Sequence, residues 1–286
     1  MSDQLQYKQP AIKVQSPLVK WINILTPLYQ RFVPISIRFR KNYQLAKLSD
    51  VHLLALLCWQ VELGMTNQRL FYRFLLSIGF TGLPERSRFN RISIHASEIF
   101  KWIRYGLIKT AVPNPTYTII DSFPMPLCHP IRNRRAKLLK SDADIGYNST
   151  KRQWYYGFKG SFEVTNYGIP VAYTITKASI HDINMVPTLI DQYSCPHILA
   201  DAGYLSKKLK ISLARIGVDF WTPKRKNMHN DGTNSRLLTR DRRQIETVFS
   251  RWGNTFDLER NRARSLDGFK TRIEQCLLVD TLKQIN

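Results

Sequence analysis

Two short stretches constrain the fold of these 286 residues more than any other feature. Tyr117-Thr118-Ile119-Ile120 is a β-branched and aromatic run that meets Asp121, with Pro124 and Pro126 just beyond; Ile198-Leu199-Ala200 is an apolar triplet that meets Asp201, with Gly203 following. Such runs read as buried strands. Prolines donate nothing to a ladder, so the first strand is expected to end at Asp121. Two more strand patterns, at 154–164 and 169–176, flank a Thr165-Asn166-Tyr167-Gly168 turn, and a helix is expected from His181-Asp182 to about Gln192. A helix before the triplet allows its strand to cross over and lie beside the first. The expected architecture is α/β, a mixed sheet flanked by helices, with Asp121 next to Asp201.

Residues 1–110 are patterned for helices alone. Ser16-Pro17 opens one with Leu18, Trp21, Ile22 and Leu25 on one face; Ser49-Asp50 and Thr66-Asn67 cap two more, which end at Gly64 and Gly79. Pro84 starts another, whose early residues include Arg86, Arg88 and Arg91. Positions 66–106 therefore read as a helix-turn-helix, its second helix offering donors to base edges and phosphates. The expected division is a helical DNA-binding region at 1–110 and a catalytic domain at 111–286. Past Asp201 the pattern gives a basic helix (206–216), a strand (218–221), a polar loop from Lys224 to about Arg236, and a helix over 240–252. That helix carries Ile245, Val248, Phe249 and Trp252 on one face and Glu246 at its rim. A last helix from Leu266 has Phe269, Ile273, Cys276 and Leu277 on its core face.

Charge indicates the partner. There are 43 Lys and Arg against 21 Asp and Glu, net +22, an excess that repels itself unless a polyanion is bound. Nucleic acid is the leading candidate and an acidic membrane surface the second. The run Ile131-Arg132-Asn133-Arg134-Arg135-Ala136-Lys137 would clamp phosphates through Arg132, Arg134, Arg135 and Lys137. Four scattered cysteines have neither zinc-ligand spacing nor a disulfide framework. The apolar run Leu53–Trp59 is too short to span a bilayer, and no signal peptide is evident, so a cytosolic protein is expected.

Asp121, Asp201 and Glu246 are the candidate catalytic and metal-binding residues. Phosphoryl transfer needs an activated nucleophile and neutralised phosphate charge, which carboxylate-held magnesium supplies. Three carboxylates about 5 Å apart would repel by roughly 3 kcal/mol per pair without cations. Against this, either aspartate could cap the following segment, and Glu246 has Arg242 and Arg243 at helical ion-pair spacing.

The order of the acids resembles that of the DDE transposases, whose catalytic domain is RNase H-like. Ile120-Asp121-Ser122-Phe123-Pro124, with Pro126 and Cys128 beyond, is similar to the insertion-sequence 982 family. So are Gly157-Phe158-Lys159, Ala178-Ser179-Ile180-His181-Asp182, Ala200-Asp201-Ala202-Gly203-Tyr204 and Arg243-Gln244-Ile245-Glu246-Thr247-Val248-Phe249. The resemblance implies a metal-dependent endonuclease and strand-transfer enzyme with two Mg2+ ions, or Mn2+ in their place, on Asp121, Asp201 and Glu246. It implies cleavage at the terminal inverted repeats of its own element and joining of the freed 3′-hydroxyls to target DNA. A homodimer on DNA in the bacterial cytosol goes with that reading, with Lys159, Arg132, Arg135 and Arg242 on DNA. Thr239 and Gly253 stand where a hairpin-forming branch has Tyr and Lys; only Arg242 of that motif is kept. The alternative is a non-catalytic, repurposed DNA-binding protein.

Overall fold

The longest strand, β3 (Gln153–Thr165), is the one on which the sheet is assembled. β1 (Thr118–Pro126) and β4 (Pro170–Lys177) pair with it antiparallel, and β2 (Asp144–Asn148) pairs antiparallel with its first residues. β5 (His197–Ala200) lies parallel to β1, and β6 (Asp219–Trp221) parallel to β5. The body of the sheet therefore runs β4-β3-β1-β5-β6, three antiparallel strands and then two parallel ones, the RNase H-like order. Three strands converge at Gly157, where a Cβ would lie 2.3 Å from the Met125 carbonyl oxygen; glycine lets the backbones meet there. The computed structural model describes residues 15–149, 151–224 and 236–285. The interior of the expected 224–236 loop, residues 225–235, lies outside the described residues.

The expected end of β1 at Asp121 is corrected: the strand continues to Pro126. Leu127 donates its N–H to Tyr156 of β3, so with a period of two the nitrogens of Pro124 and Pro126 point away from β3. They point to the edge that β5 leaves after Ala200, where no ladder hydrogen bond is needed. The prolines thus face an edge already left open where β5 ends, and the pairing with β3 stays intact.

Helices α1 (Gln15–Phe32), α2 (Ile35–Arg38), α3 (Asp50–Glu62), α4 (Gln68–Ser77), α5 (Arg86–His95) and α6 (Ser97–Thr110) precede the sheet. The Ser49 side chain caps α3 by accepting from the His52 amide, and Asn67 caps α4 by accepting from Arg69 and Leu70. The carboxylate of Glu85 caps α5, so this helix starts at Arg86 rather than at Pro84. α7 (Val186–Gln192) and α8 (Lys207–Ala214) cover one face of the sheet, packing Val186, Leu189 and Leu213 on Ile120, Ile198 and Phe220. α9 (Arg236–Arg242), α10 (Gln244–Phe256) and α11 (Leu266–Ile285) follow. The helix expected over 240–252 is broken at Arg243 into α9 and α10.

Ile245, Val248 and Trp252 of α10 pack with Phe123 and Phe162 on the other face. The same hydrophobic cluster reaches Trp21 of α1, the apolar run of α3 and Leu277 of α11. α11 is not the one-faced helix expected: it is buried from Phe269 to Leu282 almost without interruption. Its polar residues are paired inside. Glu274 accepts from Arg104 at 2.8 Å and from Tyr173 Oη at 2.9 Å; Asp280 accepts from Arg251 Nε at 2.9 Å and from Trp252 Nε1 at 2.8 Å.

Glu163 of β3 is also fully buried. Thr118 Oγ1 donates to its Oε1 at 2.7 Å, and Oε2 has no partner among the described residues. Burial pushes the Glu163 carboxyl up to about 8, against an ordinary value of 4.5. Folding then takes up a proton between these values, so this group's contribution is complete below 4.5 and is lost as pH rises to about 8, by at most about 1.4 kcal/mol per pH unit. In urea unfolding at pH 5 and pH 8, Glu163→Gln is expected to lose less stability between the two than the parent chain. Equal losses would show that Glu163 ionises normally.

Candidate active site at the end of the parallel strands

The ladder between β1 and β5 ends with Ile120 registered against Ala200. The next residues, Asp121 and Asp201, therefore emerge side by side where the two strands part. Alternation along each strand places both on the face of Ile119, Phe123 and Leu199, the face that α10 covers. Each carboxylate is turned back on the amide that follows it: Ser122 N–H donates to Asp121 Oδ1 at 2.8 Å and Ala202 N–H to Asp201 Oδ1 at 2.7 Å. The side chain of Asp121 is 22% exposed. Burial, with Asp201 and Asp182 adding repulsion, pushes its pKa up to about 7 against the opposing pull of the Ser122 amide and Arg242.

Glu246 stands in the first turn of α10, where a carboxylate also faces the positive end of the helix dipole. Arg242 lies between it and the aspartates. Its Nη2 donates to Glu246 Oε1 at 3.1 Å, the helical ion pair anticipated from the spacing, and its Nη1 is 3.7 Å from Asp121 Oδ2. One guanidinium thus links the first and third acids. Among the described residues, no three acids, imidazoles or thiols are gathered as a ready metal-ion site. Asp121 and Asp201 are together, while Glu246 is engaged by Arg242.

Three neighbours, Ser122, Asp182 and Tyr204, were not singled out as site residues from the sequence. Ser122 Oγ donates to Asp182 Oδ1 at 2.8 Å, and Lys159 Nζ is 3.1 Å from the same oxygen and 2.9 Å from the Ile180 carbonyl. The Tyr204 side chain is buried. Burial, with Asp121, Asp182 and Asp201 close by, holds the Tyr204 phenol well above its usual range. The available signal was position: Asp182 and Tyr204 sit in the same short motifs as His181 and Asp201. Lys159, expected on phosphate, alternates to the face opposite Phe158 and Phe162 and is held by Asp182.

The arginines expected to contact DNA fall into two groups. Arg86, Arg88 and Arg91 are exposed on α5 and form no ion pair among the described residues. Arg132, Arg134 and Arg135 are exposed on a 3-10 helix, Pro130–Arg135, with Lys137 just beyond. Asn133 ties that helix to β3 by donating to the Trp154 carbonyl at 2.9 Å and accepting from the Tyr156 amide at 3.1 Å. Trp154 lies about eight residues, on the order of 25 Å, along β3 from Phe162, which is paired with Asp121. The basic run therefore sits at the far end of β3 from the carboxylates, not beside them. The four cysteines form no disulfide.

A family model described as a transposase DDE domain matches residues 114–266, just over half of the chain and a span that holds Asp121, Asp201 and Glu246. The chain belongs to the DDE transposase family. No curated protein matches it significantly. Among solved structures, a piggyBac transposase in a synaptic complex with hairpin DNA is similar at a TM-score of 0.41 and 15% identity, with 79% of this chain and 52% of that chain covered. The chain thus spans about half the length of that one. None of its described helices is long and apolar enough to cross a membrane.

Proposed function

We propose that this DDE transposase cleaves DNA at the ends of its own insertion sequence and joins the freed 3′-hydroxyls to target DNA, as a relative of the insertion-sequence 982 family. One observation carries the reading: the register that ends the β1–β5 ladder at Ile120 and Ala200 sets two carboxylates side by side, with Glu246 one guanidinium away. The donors fit Mg2+ or Mn2+, which take hard carboxylate oxygens, few protein ligands per ion, and phosphate and water for the rest. Asp121 and Asp201 would hold the ions, Glu246 completing the second site. The ions would activate the attacking hydroxyl and neutralise phosphate charge.

The chain's own groups prepare that step. The amides of Ser122 and Ala202 fix both aspartates in orientation, so little reordering is needed when substrate arrives. Burial of Asp121 beside Asp201 makes its negative charge costly, and a bound cation would offset that cost. Arg242 partly relieves it, and in the working complex its fork turns from the carboxylates to a phosphate, for which a guanidinium is well suited. The N-terminal helices recognise the element ends through Arg86, Arg88 and Arg91, and two copies hold two ends in the cytosol. Arg88→Ala with Arg91→Ala is expected to weaken binding to the inverted repeats while leaving the fold; unchanged affinity would move recognition elsewhere.

The pair between Arg242 and Glu246 favours a second reading, a DNA-binding protein in which these acids serve only the fold. The deciding measurement uses DNA carrying the inverted repeats that flank the reading frame. Release of a 3′-hydroxyl with Mg2+, absent in EDTA, supports the transposase reaction. Binding without release in either metal supports the second reading.

A further inference from the structure

At the far end of β3 the surface turns apolar and basic together. The 3-10 helix Pro130–Arg135 and the β2–β3 hairpin enclose a cleft of about 670 Å³, lined among others by Ile131, Arg134, Arg135, Ile145 and Trp154, a size suited to a nucleotide-sized group. Ile131 is 86% exposed and Trp154 60%. Tyr147, paired with Trp154 across the hairpin, has its ring 5.2 Å from the indole in a tilted arrangement, which extends the aromatic surface. Neither arginine forms an ion pair among the described residues. Asn133 holds the floor of the cleft to β3 through two hydrogen bonds, so the surface is formed before any ligand comes.

We propose that this cleft binds an unpaired nucleobase of the DNA, stacked on Trp154, with its flanking phosphates on Arg134 and Arg135. The chemistry is complementary on both counts. A base has an apolar aromatic face that every sequence shares, and its backbone brings the negative charge that two unpaired guanidiniums lack. A paired base inside a duplex has no free face for the indole, so the cleft distinguishes unstacked from duplex DNA. Its distance from Asp121, on the order of 25 Å along β3, corresponds to roughly seven nucleotides of strand. The base it takes is therefore well away from the phosphate attacked at the carboxylates.

The inference rests on DNA being the substrate but not on the acids being catalytic, and its test runs in EDTA without cleavage. The probes are a short fluorescein-labelled DNA single strand of mixed sequence and the fully paired duplex of that sequence, bound to the whole chain. Trp154→Ala is expected to lower single-strand affinity by about tenfold, within the range that loss of one base–aromatic stack gives, and duplex affinity by less than about twofold. Trp154→Phe is expected to keep most of the single-strand affinity. Arg134→Ala with Arg135→Ala is expected to weaken both probes and to flatten the salt dependence of both. Equal effects of Trp154→Ala on the two probes, or none on the single strand, would overturn the proposal. So would a change in oligomeric state without a single-strand defect, which would make the cleft a contact between copies of the chain. Absence of binding by the parent chain to either probe would instead remove the DNA reading itself.

Discussion

Asp201→Asn is expected to abolish strand cleavage in Mg2+ while leaving DNA affinity and stability in place. The loss should be at least on the order of a hundred to a thousandfold, the size that removal of one charge-stabilising group from an active site produces. The substitution is close to isosteric, and an Asn oxygen can still accept the Ala202 amide as Asp201 Oδ1 does at 2.7 Å. What disappears is one of two adjacent negative charges. In the free protein that charge is a burden, since it is one of the causes that raise the Asp121 pKa to about 7. Asp201→Asn should therefore unfold at the same denaturant concentration as the parent, or a slightly higher one. Affinity for the inverted repeats, carried by residues on other surfaces, should stay within about twofold, since substitutions more than about 10 Å from a contact act independently. Cleavage by the purified variant at the parent rate would remove Asp201 from the chemistry. A fall in stability together with activity would make it a structural residue.

The placement of Asp121 beside Asp201 was legible in the sequence because strand ends are local. Two apolar runs each meeting an aspartate, with helix-length chain between them, were enough to expect a parallel neighbour, and the register delivers the two acids together. The extent of β1 was not legible. Whether Pro124 and Pro126 end a strand depends on which edge their nitrogens face, and this was fixed only once β5 was known to leave after Ala200. β2 was missed for a related reason: Asp144–Asn148 is short and contains Gly146, whose Cβ position would meet the Ala178 carbonyl oxygen at 2.3 Å. Glycine there permits a close approach that no pattern of apolar residues signals. Ser122, Asp182, Lys159 and Tyr204 meet through tertiary folding of four separate elements. Lys159 was expected on phosphate rather than on Asp182, and for the other three only the shared motifs gave a hint.

α11 was the deepest misreading, and its cause leads to the second large effect. A helix with Arg272, Glu274, Gln275 and Asp280 reads as one with a wet face, yet all four side chains are buried. Glu274 is the junction: it joins Arg104 of α6 and Tyr173 of β4 through contacts of 2.8 and 2.9 Å, so the helices before the sheet, the last helix and the sheet meet on one carboxylate. The Arg104 guanidinium is fully buried and lies 5.3 Å from the Tyr173 ring. Arg104→Ala leaves the Glu274 charge inside with only a phenol to satisfy it. Removing one partner of a buried pair costs roughly 3 to 5 kcal/mol, and for a chain of this size that lowers Tm by on the order of 10 °C. Glu274→Ala should cost a similar amount by stranding Arg104. The double variant should cost clearly less than the two together, because no uncompensated charge then remains. Calorimetry of the three variants reads this directly: additive losses, or a Tm shift under about 2 °C for either single change, would mean that the ion pair contributes little and that apolar packing alone joins α6 to α11.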